Sequence, residues 1–218
     1  MPTPTRAIVI FGNVVTSSSH PAAASLWLRV LAEELDAAYG ARRLAPFGIA
    51  QGDQLQGVLK ADADPLDAVL RGALRADPRA IQWVVTAAAV DAGRGPSTPW
   101  TGGPLLAARE APDRARSTRA ALIVESGDRD ADALLAGIAP ALTALLGDLT
   151  VRQREIARLL IVVGLRQSDA AARLGISRPT ISVAVARAHL GEIARLATAI
   201  RALFARGLTA SDDRDGAS

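Results

Sequence analysis

The sequence lacks several residue types on which common classes of protein depend. It has no cysteine and two histidines among its 218 residues, and aromatic side chains make up 3% of it. Without cysteine the chain forms no disulfide bond and no thiolate metal site, so we expect it in a reducing cytoplasm. Neither His20 nor His189 has other ligand-type side chains at metal-ligand spacing, so we expect no metal and no cofactor.

Long apolar runs are also missing. No uninterrupted apolar run approaches the roughly 20 residues of a membrane-spanning helix. The N-terminus lacks the charged segment and long apolar stretch of a signal peptide. We therefore expect no membrane association. Half of the residues are nonetheless apolar, which is enough for a substantial core in one large domain or two small ones.

Positive charge is concentrated near the C-terminal end of the chain. Residues 150–207 contain ten arginines and three acidic residues, a net charge of +7, whereas the whole chain carries +3. A basic surface on a small helical unit is typical of phosphate binding, whereas ordinary solvated helical surfaces mix both signs. The segment is therefore the candidate for contact with nucleic acid.

Within that basic segment, residues 166–185 (RQSDAAARLGISRPTISVAV) have the pattern of a helix-turn-helix. Ala171 is small where two helices must approach closely, and Gly175 stands at the turn, where a positive φ favours glycine. Ser177 is placed to cap the second helix. The apolar positions predicted to form the seam between the helices are Ala170, Leu174, Ile176, Ile181 and Ala184. An ordinary helical hairpin is the alternative interpretation.

The N-terminal half alternates between strand and helix patterns. The predicted strands are 7–15, 43–50, 55–60, 80–90 and 120–125, and the predicted helices are 21–39, 65–75 and 105–117. In the first helix the apolar positions at helical spacing are Leu26, Val30, Leu31 and Leu35. The order β-α-β-β-α-β, followed by a helix and a strand, is the split βαβ pattern.

Strand patterns cease after residue 130. The later predicted helices are 131–146, 151–163 with Thr150 as its cap, the two of the helix-turn-helix, and 190–205. We therefore expect an α+β domain over 1–130 and a linker helix over 131–149. We then expect a helix-turn-helix DNA-binding domain over 150–207. The composition of residues 208–218 predicts a disordered tail.

Several short motifs carry a family resemblance. They are Gly12 and Val14 before a serine-rich turn, GDQLQG at 52–57, AARE at 107–110, LTVRQREIARLL at 149–160 and the AARLGISRPTIS that follows. Together they make the chain resemble the SatD family of cytoplasmic bacterial proteins with a C-terminal helix-turn-helix. The resemblance implies an N-terminal domain related to nucleotide cyclases, a ferredoxin-like sheet covered by helices. The fold class predicted is thus α+β, ferredoxin-like or nucleotide cyclase-like, followed by an all-α helix-turn-helix domain.

The cyclase relationship that the resemblance implies makes a demand on acidic residues. Two magnesium ions need carboxylate oxygens from the end of the first strand and from the central hairpin. This chain has Asn13 where the family pattern places an aspartate, and Gln54 follows Asp53 where an acid is common. One carboxylate does not form a two-metal clamp, so we expect a degenerate site and no enzyme activity.

A pocket in that domain remains a candidate site for a nucleotide-like effector. Gly12 and Asn13, with Ser17 and Ser18 at a helix start, suit phosphate binding through backbone N–H groups. Asp53 belongs to the same candidate set, although it also suits a role in shaping the hairpin. A plain strand-to-helix turn is the alternative interpretation.

If the helix-turn-helix binds DNA, the helix that follows Ser177 enters the major groove with its N-terminal residues nearest the bases. Arg178 suits bidentate contact to guanine, and Thr180 or Val183 suits contact with a thymine methyl. Ser182 also faces outward, and Ser177 belongs to the same set of predicted DNA contacts. The arginines predicted to contact phosphates are Arg152, Arg154, Arg166, Arg173 and Arg187. Because one small module binds weakly, we expect a homodimer on double-stranded DNA.

Three functions from different classes follow from these patterns. The first is a sequence-specific transcriptional regulator, cytoplasmic and nucleoid-associated, whose N-terminal domain dimerises or senses an effector. The second is a nucleotide-transforming enzyme with an attached DNA-binding module, which Asn13 and Gln54 disfavour. The third is a protein-interaction module that uses the helix-turn-helix to dock on a partner.

Overall fold

The first strand, β1 (Thr5–Val14), lies in the middle of a five-stranded sheet. The computed structural model describes residues 5–15, 21–50, 54–77, 80–90 and 120–215. β1 is the apolar run predicted from the sequence, and its side chains alternate between two buried faces. Ile8 and Ile10 join the larger core on one face, while Val9 and Phe11 join a smaller cluster on the other.

The other strands are β2 (Arg43–Ala50), β3 (Gln54–Lys60), β4 (Ile81–Val90) and β5 (Leu122–Glu125). Their order across the sheet is β2-β3-β1-β4-β5. β1 pairs antiparallel with β3 and β4, β2 pairs antiparallel with β3, and β5 runs parallel to β4. The fold is therefore mixed α+β, as expected, with a mixed sheet.

Among the described residues of the N-terminal half, two α-helices accompany the sheet, α1 (Pro21–Tyr39) and α2 (Asp67–Ala73). The helix predicted over 105–117 lies outside the described residues. α1 has the bounds predicted from its starting proline and from Gly40, but its buried face differs from the prediction. Leu31 and Leu35 are buried as expected, whereas Leu26 is 64% exposed and Val30 is exposed. Trp27 and Leu28 lie in the core in their place. The buried stripe of α1 is therefore rotated relative to the predicted one.

The C-terminal helices are α3 (Arg129–Gly147), α4 (Val151–Ala157), α5 (Gln167–Leu174), α6 (Arg178–Arg187) and α7 (Leu190–Asp215). A π-helical turn, Arg158–Val162, extends α4. Thr150 caps α4 as predicted, in a reciprocal capping box with Gln153. Several of these helix starts and ends thus follow from local sequence signals.

α3, predicted as a linker helix, packs against β5 and α7. It is the one helix among the described residues that is long and apolar enough, by length and composition alone, to cross a membrane. α3 buries Leu135, Leu142 and Leu146 in the main cluster, while 28% of its most apolar stretch is buried.

α7 continues beyond the predicted final helix, to Asp215. Residues 208–215, expected to be disordered from their composition, are therefore helical, and Leu208 is buried. α7 also passes close to the turn after β5: a β-carbon on Gly207 would lie 1.9 Å from Ser126 Oγ. One contiguous apolar cluster runs from Ile8 in β1 to Leu208 in α7.

Candidate nucleic-acid interface

The turn between α5 and α6 has the backbone geometry that its sequence predicts. Gly175 ends α5 in the left-handed region, with φ of 64°. The N–H of Ile176 donates to the Ala171 carbonyl at 3.1 Å, which closes the helix end. Ser177 caps α6, its Oγ accepting the Thr180 N–H at 3.2 Å. Both the glycine and the cap are confirmed.

The predicted seam between α5 and α6 is buried to different degrees. Ala170, Ala171 and Ile181 are buried, and Ile181 has no exposed surface. Leu174, Ile176 and Ala184 are half-buried and pack against the same cluster. α6 also contacts α4 and α7, so one side of it is fixed against the rest of the chain.

The opposite side of α6 is open to solvent. Its exposed residues include Pro179, Ser182, Val183 and Ala186, with Val183 51% exposed. These side chains are short, so a convex backbone ridge is accessible along the helix. Pro179 and Ala186 were not predicted as contact residues from the sequence, although the 3.6-residue period places them beside Ser182 and Val183.

Four predicted contact residues cluster at the two ends of that ridge. Arg178 and Thr180 are exposed in the first turn of α6, next to Ser177, and Arg187 is exposed in its last turn. The hydroxyls of Ser177 and Thr180 lie 2.8 Å apart and bond to each other. Their donor capacity is therefore partly used by the helix cap.

Tertiary structure divides the ten arginines of residues 150–207 into groups with different partners. Two of them form ion pairs with the N-terminal half: Arg158 Nη2 lies 2.6 Å from Glu34 Oε1, and Arg201 Nη2 lies 2.7 Å from Asp64 Oδ2. Burial by itself lowers the pKa of the Arg201 guanidinium, but the hydrogen bonds and charge of Asp64 raise it overall. These two cations are structural.

Three more arginines are paired within their own helical turn. Arg166 Nε lies 3.1 Å from Asp169 Oδ2, and its hydrogen bond lowers the pKa of that carboxyl group. Arg195 pairs with Glu192 at 2.7 Å, and Arg152 pairs with Glu155. Exposed pairs of this kind are weak, so Arg152 and Arg166 remain accessible to a phosphate.

Arg154 does not fit the predicted phosphate contact. Its Nη1 donates to the carbonyls of Ala73 at 2.9 Å and Leu146 at 3.1 Å, and its Nη2 donates to that of Gly147 at 3.0 Å. Partial burial lowers the pKa of its guanidinium. The side chain ties α4 to α2 and α3, and this role requires that it turn inward.

The remaining arginines are Arg173, Arg178, Arg187 and Arg206, which form no ion pair with any described residue. All four are exposed. Three of them belong to α5 and α6, so the exposed, unpaired arginines of residues 150–207 are concentrated on that helix pair. Arg206, the fourth, lies on α7.

The predicted effector residues are described in part. Gly12 and Asn13 lie inside β1, paired on one side with β3 and on the other with β4. The ring of Trp83 covers Gly12, where a β-carbon would lie 2.9 Å from Trp83 Cζ3. Gly12 therefore has a packing role in the sheet, and the turn after β1 on which the predicted phosphate cradle depends lies outside the described residues. Ser17, Ser18 and Asp53 lie outside the described residues.

The acidic partners Glu34 and Asp64 were not singled out from the sequence. They lie 124 and 137 positions from Arg158 and Arg201, a separation at which no local pattern operates. Within the described ranges, no group of three or more His, Cys, Asp or Glu side chains is placed to hold a metal ion. Comparison of this chain with protein-family models, with curated proteins and with solved structures gives no match.

Proposed function

We propose that this protein is a sequence-specific DNA-binding transcriptional regulator in which α5 and α6 form a helix-turn-helix. One observation carries the proposal: the arginines of α5 and α6 are free of ion pairs among the described residues, beside an exposed ridge of short side chains. A groove-reading helix needs both features, because short side chains allow close approach and free cations neutralise phosphates.

In this arrangement α6 enters the major groove, since its opposite side is occupied by α4, α5 and α7. Arg178, at the N-terminal end, contacts base edges, with Ser182 and Val183 alongside it. Arg173 and Arg187 contact phosphates on the two sides of the groove. Arg152 and Arg166 are additional cations, because each can exchange its weak local ion pair for a phosphate. Arg154 is excluded from this set by its three carbonyl partners.

The N-terminal half is proposed to be a ferredoxin-like, cyclase-related domain without catalytic activity, as the resemblance to the SatD family implies. The strand order β2-β3-β1-β4 with antiparallel neighbours supports that arrangement. We propose that this half dimerises the protein on DNA or senses an effector. The same proposal places the chain in the cytoplasm, associated with the nucleoid.

The proposal is tested by selecting genomic DNA fragments with the purified full-length protein and measuring affinity against salt. We expect enrichment of related fragments and a steep, linear fall of log affinity with log salt concentration. Absence of duplex binding at low salt would contradict the proposal, and capture of a protein partner through α6 would then favour the docking module. Incubation with nucleoside triphosphates and Mg²⁺ or Mn²⁺ tests the enzyme alternative by product formation.

A further inference from the structure

A cavity of about 290 Å³ lies where the sheet meets the C-terminal helices. Val69 and Ala73 of α2 form one wall, Ile81 and Trp83 of β4 form another, and α3 forms a third. Most of the lining surface is apolar, and no residue of α6 is among the described residues that line the cavity. It is therefore a different site from the proposed DNA-binding ridge.

Arg154 is the one charged side chain among the described residues that line this cavity. Its three hydrogen bonds go to neutral carbonyl oxygens, and it forms no ion pair with a described carboxylate. Its Nε has no hydrogen-bond acceptor among the described residues. The partly buried guanidinium thus keeps an uncompensated charge and a free donor beside an apolar space.

Thr143 supplies the one hydroxyl group among the described side chains that line the cavity. Thr143 donates its hydroxyl hydrogen back to its own helix, at 3.0 Å from the Pro140 carbonyl oxygen. No acidic side chain is among the described lining residues. The electrostatics of the cavity therefore favour an anion, and its walls favour an apolar body.

We propose that this cavity binds a small monocarboxylate with an apolar body. The carboxylate accepts hydrogen bonds from Arg154, a charge-assisted contact in a partly desolvated site. The apolar body lies against Trp83 and Ile81, in the space between α2 and α3. The site goes beyond the proposed DNA-binding function and does not depend on it, because ligand binding involves neither α6 nor DNA.

The test is isothermal titration calorimetry on the full-length protein with three probes. They are sodium octanoate below its micellar concentration, 1-octanol, which keeps the apolar body without the charge, and sodium acetate, which keeps the charge without the apolar body. We expect saturable binding of octanoate at one site per chain, at least about tenfold weaker binding of octanol, and no measurable binding of acetate. Equal affinities for octanoate and octanol would overturn the role of the cation.

Variants of two lining residues and one control locate the site. Arg154→Met should reduce octanoate affinity to that of octanol, whereas Arg152→Met, on the same helix but paired with Glu155 outside the cavity, should leave it unchanged. Thr143→Leu fills the cavity and leaves the Arg154 hydrogen bonds in place, so it should abolish binding of octanoate and octanol alike. The Thr143→Leu variant still tests the site if the Arg154→Met variant does not fold.

Unchanged octanoate affinity in either Thr143→Leu or a folded Arg154→Met would overturn the proposal. Failure of the protein to bind DNA would leave these results intact. Conversely, DNA binding without saturable octanoate binding would overturn this site and leave the proposed regulator standing.

Discussion

Glu34 is the acidic side chain on which three arginines from two separate parts of the fold converge. Its carboxylate oxygens lie 2.5 Å from Arg75 and 2.6 Å from Arg158, and Arg71 is 3.7 Å away. About 20% of the Glu34 side chain is exposed, so the cluster is largely screened from water. Arg75 also lies over the Trp27 ring, 5.3 Å from its centroid. One carboxylate therefore holds α1, α2 and the π turn together.

Glu34→Gln removes the negative charge and leaves those three cations close together. We expect a loss of about 1–3 kcal/mol in the free energy of unfolding, because hydrogen-bonded charges that are partly buried lose their partner. Urea denaturation measures it. The matched control is Glu192→Gln, whose exposed pair with Arg195 should contribute less than about 1 kcal/mol. Equal losses of unfolding free energy in the two variants would contradict the stabilising role assigned to Glu34.

Arg178 carries the residue-scale prediction for DNA binding. Arg178→Ala should lower affinity for a selected site about tenfold or more and relax selectivity at one base pair, since it removes a bidentate base contact. Fluorescence anisotropy on selected and random duplexes measures both effects. Arg206→Ala is the control, an equally unpaired arginine that lies on α7, away from the ridge. The base-reading role is refuted if Arg178→Ala weakens both duplexes equally.

At the scale of elements, the α5–α6 turn depends on one backbone conformation. Gly175 has a positive φ, and nothing in the described structure lies within 4 Å of where its β-carbon would stand. Steric space is therefore available, and the requirement for glycine comes from the backbone alone. The relative orientation of α5 and α6, and with it the position of the ridge, rests on this residue.

Gly175→Ala should destabilise the protein by about 1–2 kcal/mol, because an L-residue strains in the left-handed region. Gly137→Ala is the matched control: it lies inside α3, also with open space around it, and should stabilise by about 0.5–1 kcal/mol. Thermal or urea unfolding of both variants measures the difference. A stabilising Gly175→Ala would contradict the assigned turn geometry.

Element bounds were the part of the fold that local signals predicted best. α1 and β2 begin and end where the sequence places them, because proline, Gly40 and apolar alternation mark those bounds. The buried face of α1 and the helical state of residues 208–215 were predicted wrongly. Composition alone suggested disorder there, but residues 190–215 contain no proline and α7 is held at Leu208.

At the scale of the whole molecule, the two predicted halves share one core. The main apolar cluster joins β1, α1 and α2 to α3, α4 and α7, and Phe204 of α7 is 1% exposed within it. The ion pairs Arg158–Glu34 and Arg201–Asp64 cross the same boundary. The N-terminal and C-terminal halves should therefore lose structure together.

The chain offers a direct measurement of that coupling. All three tryptophans lie in residues 1–130, whereas α3 to α7 contribute most of the described helix. Unfolding followed by tryptophan fluorescence and by far-UV circular dichroism should give coincident transitions. Phe204→Ala should lower the free energy of unfolding reported by both signals by the same amount, about 3–5 kcal/mol, because it leaves a cavity where a buried aromatic ring was. Two separated midpoints would show independent halves.

The sequence by itself determined the local features of this protein: the strand and helix order, the glycine turn at Gly175, and the caps at Thr150 and Ser177. These depend on interactions within a few residues, which a linear pattern contains. Tertiary structure decided which arginines are free, because the partners Glu34 and Asp64 and the carbonyls around Arg154 come from distant segments. It also made the cavity beside Trp83, whose walls meet only when the sheet and the C-terminal helices pack together.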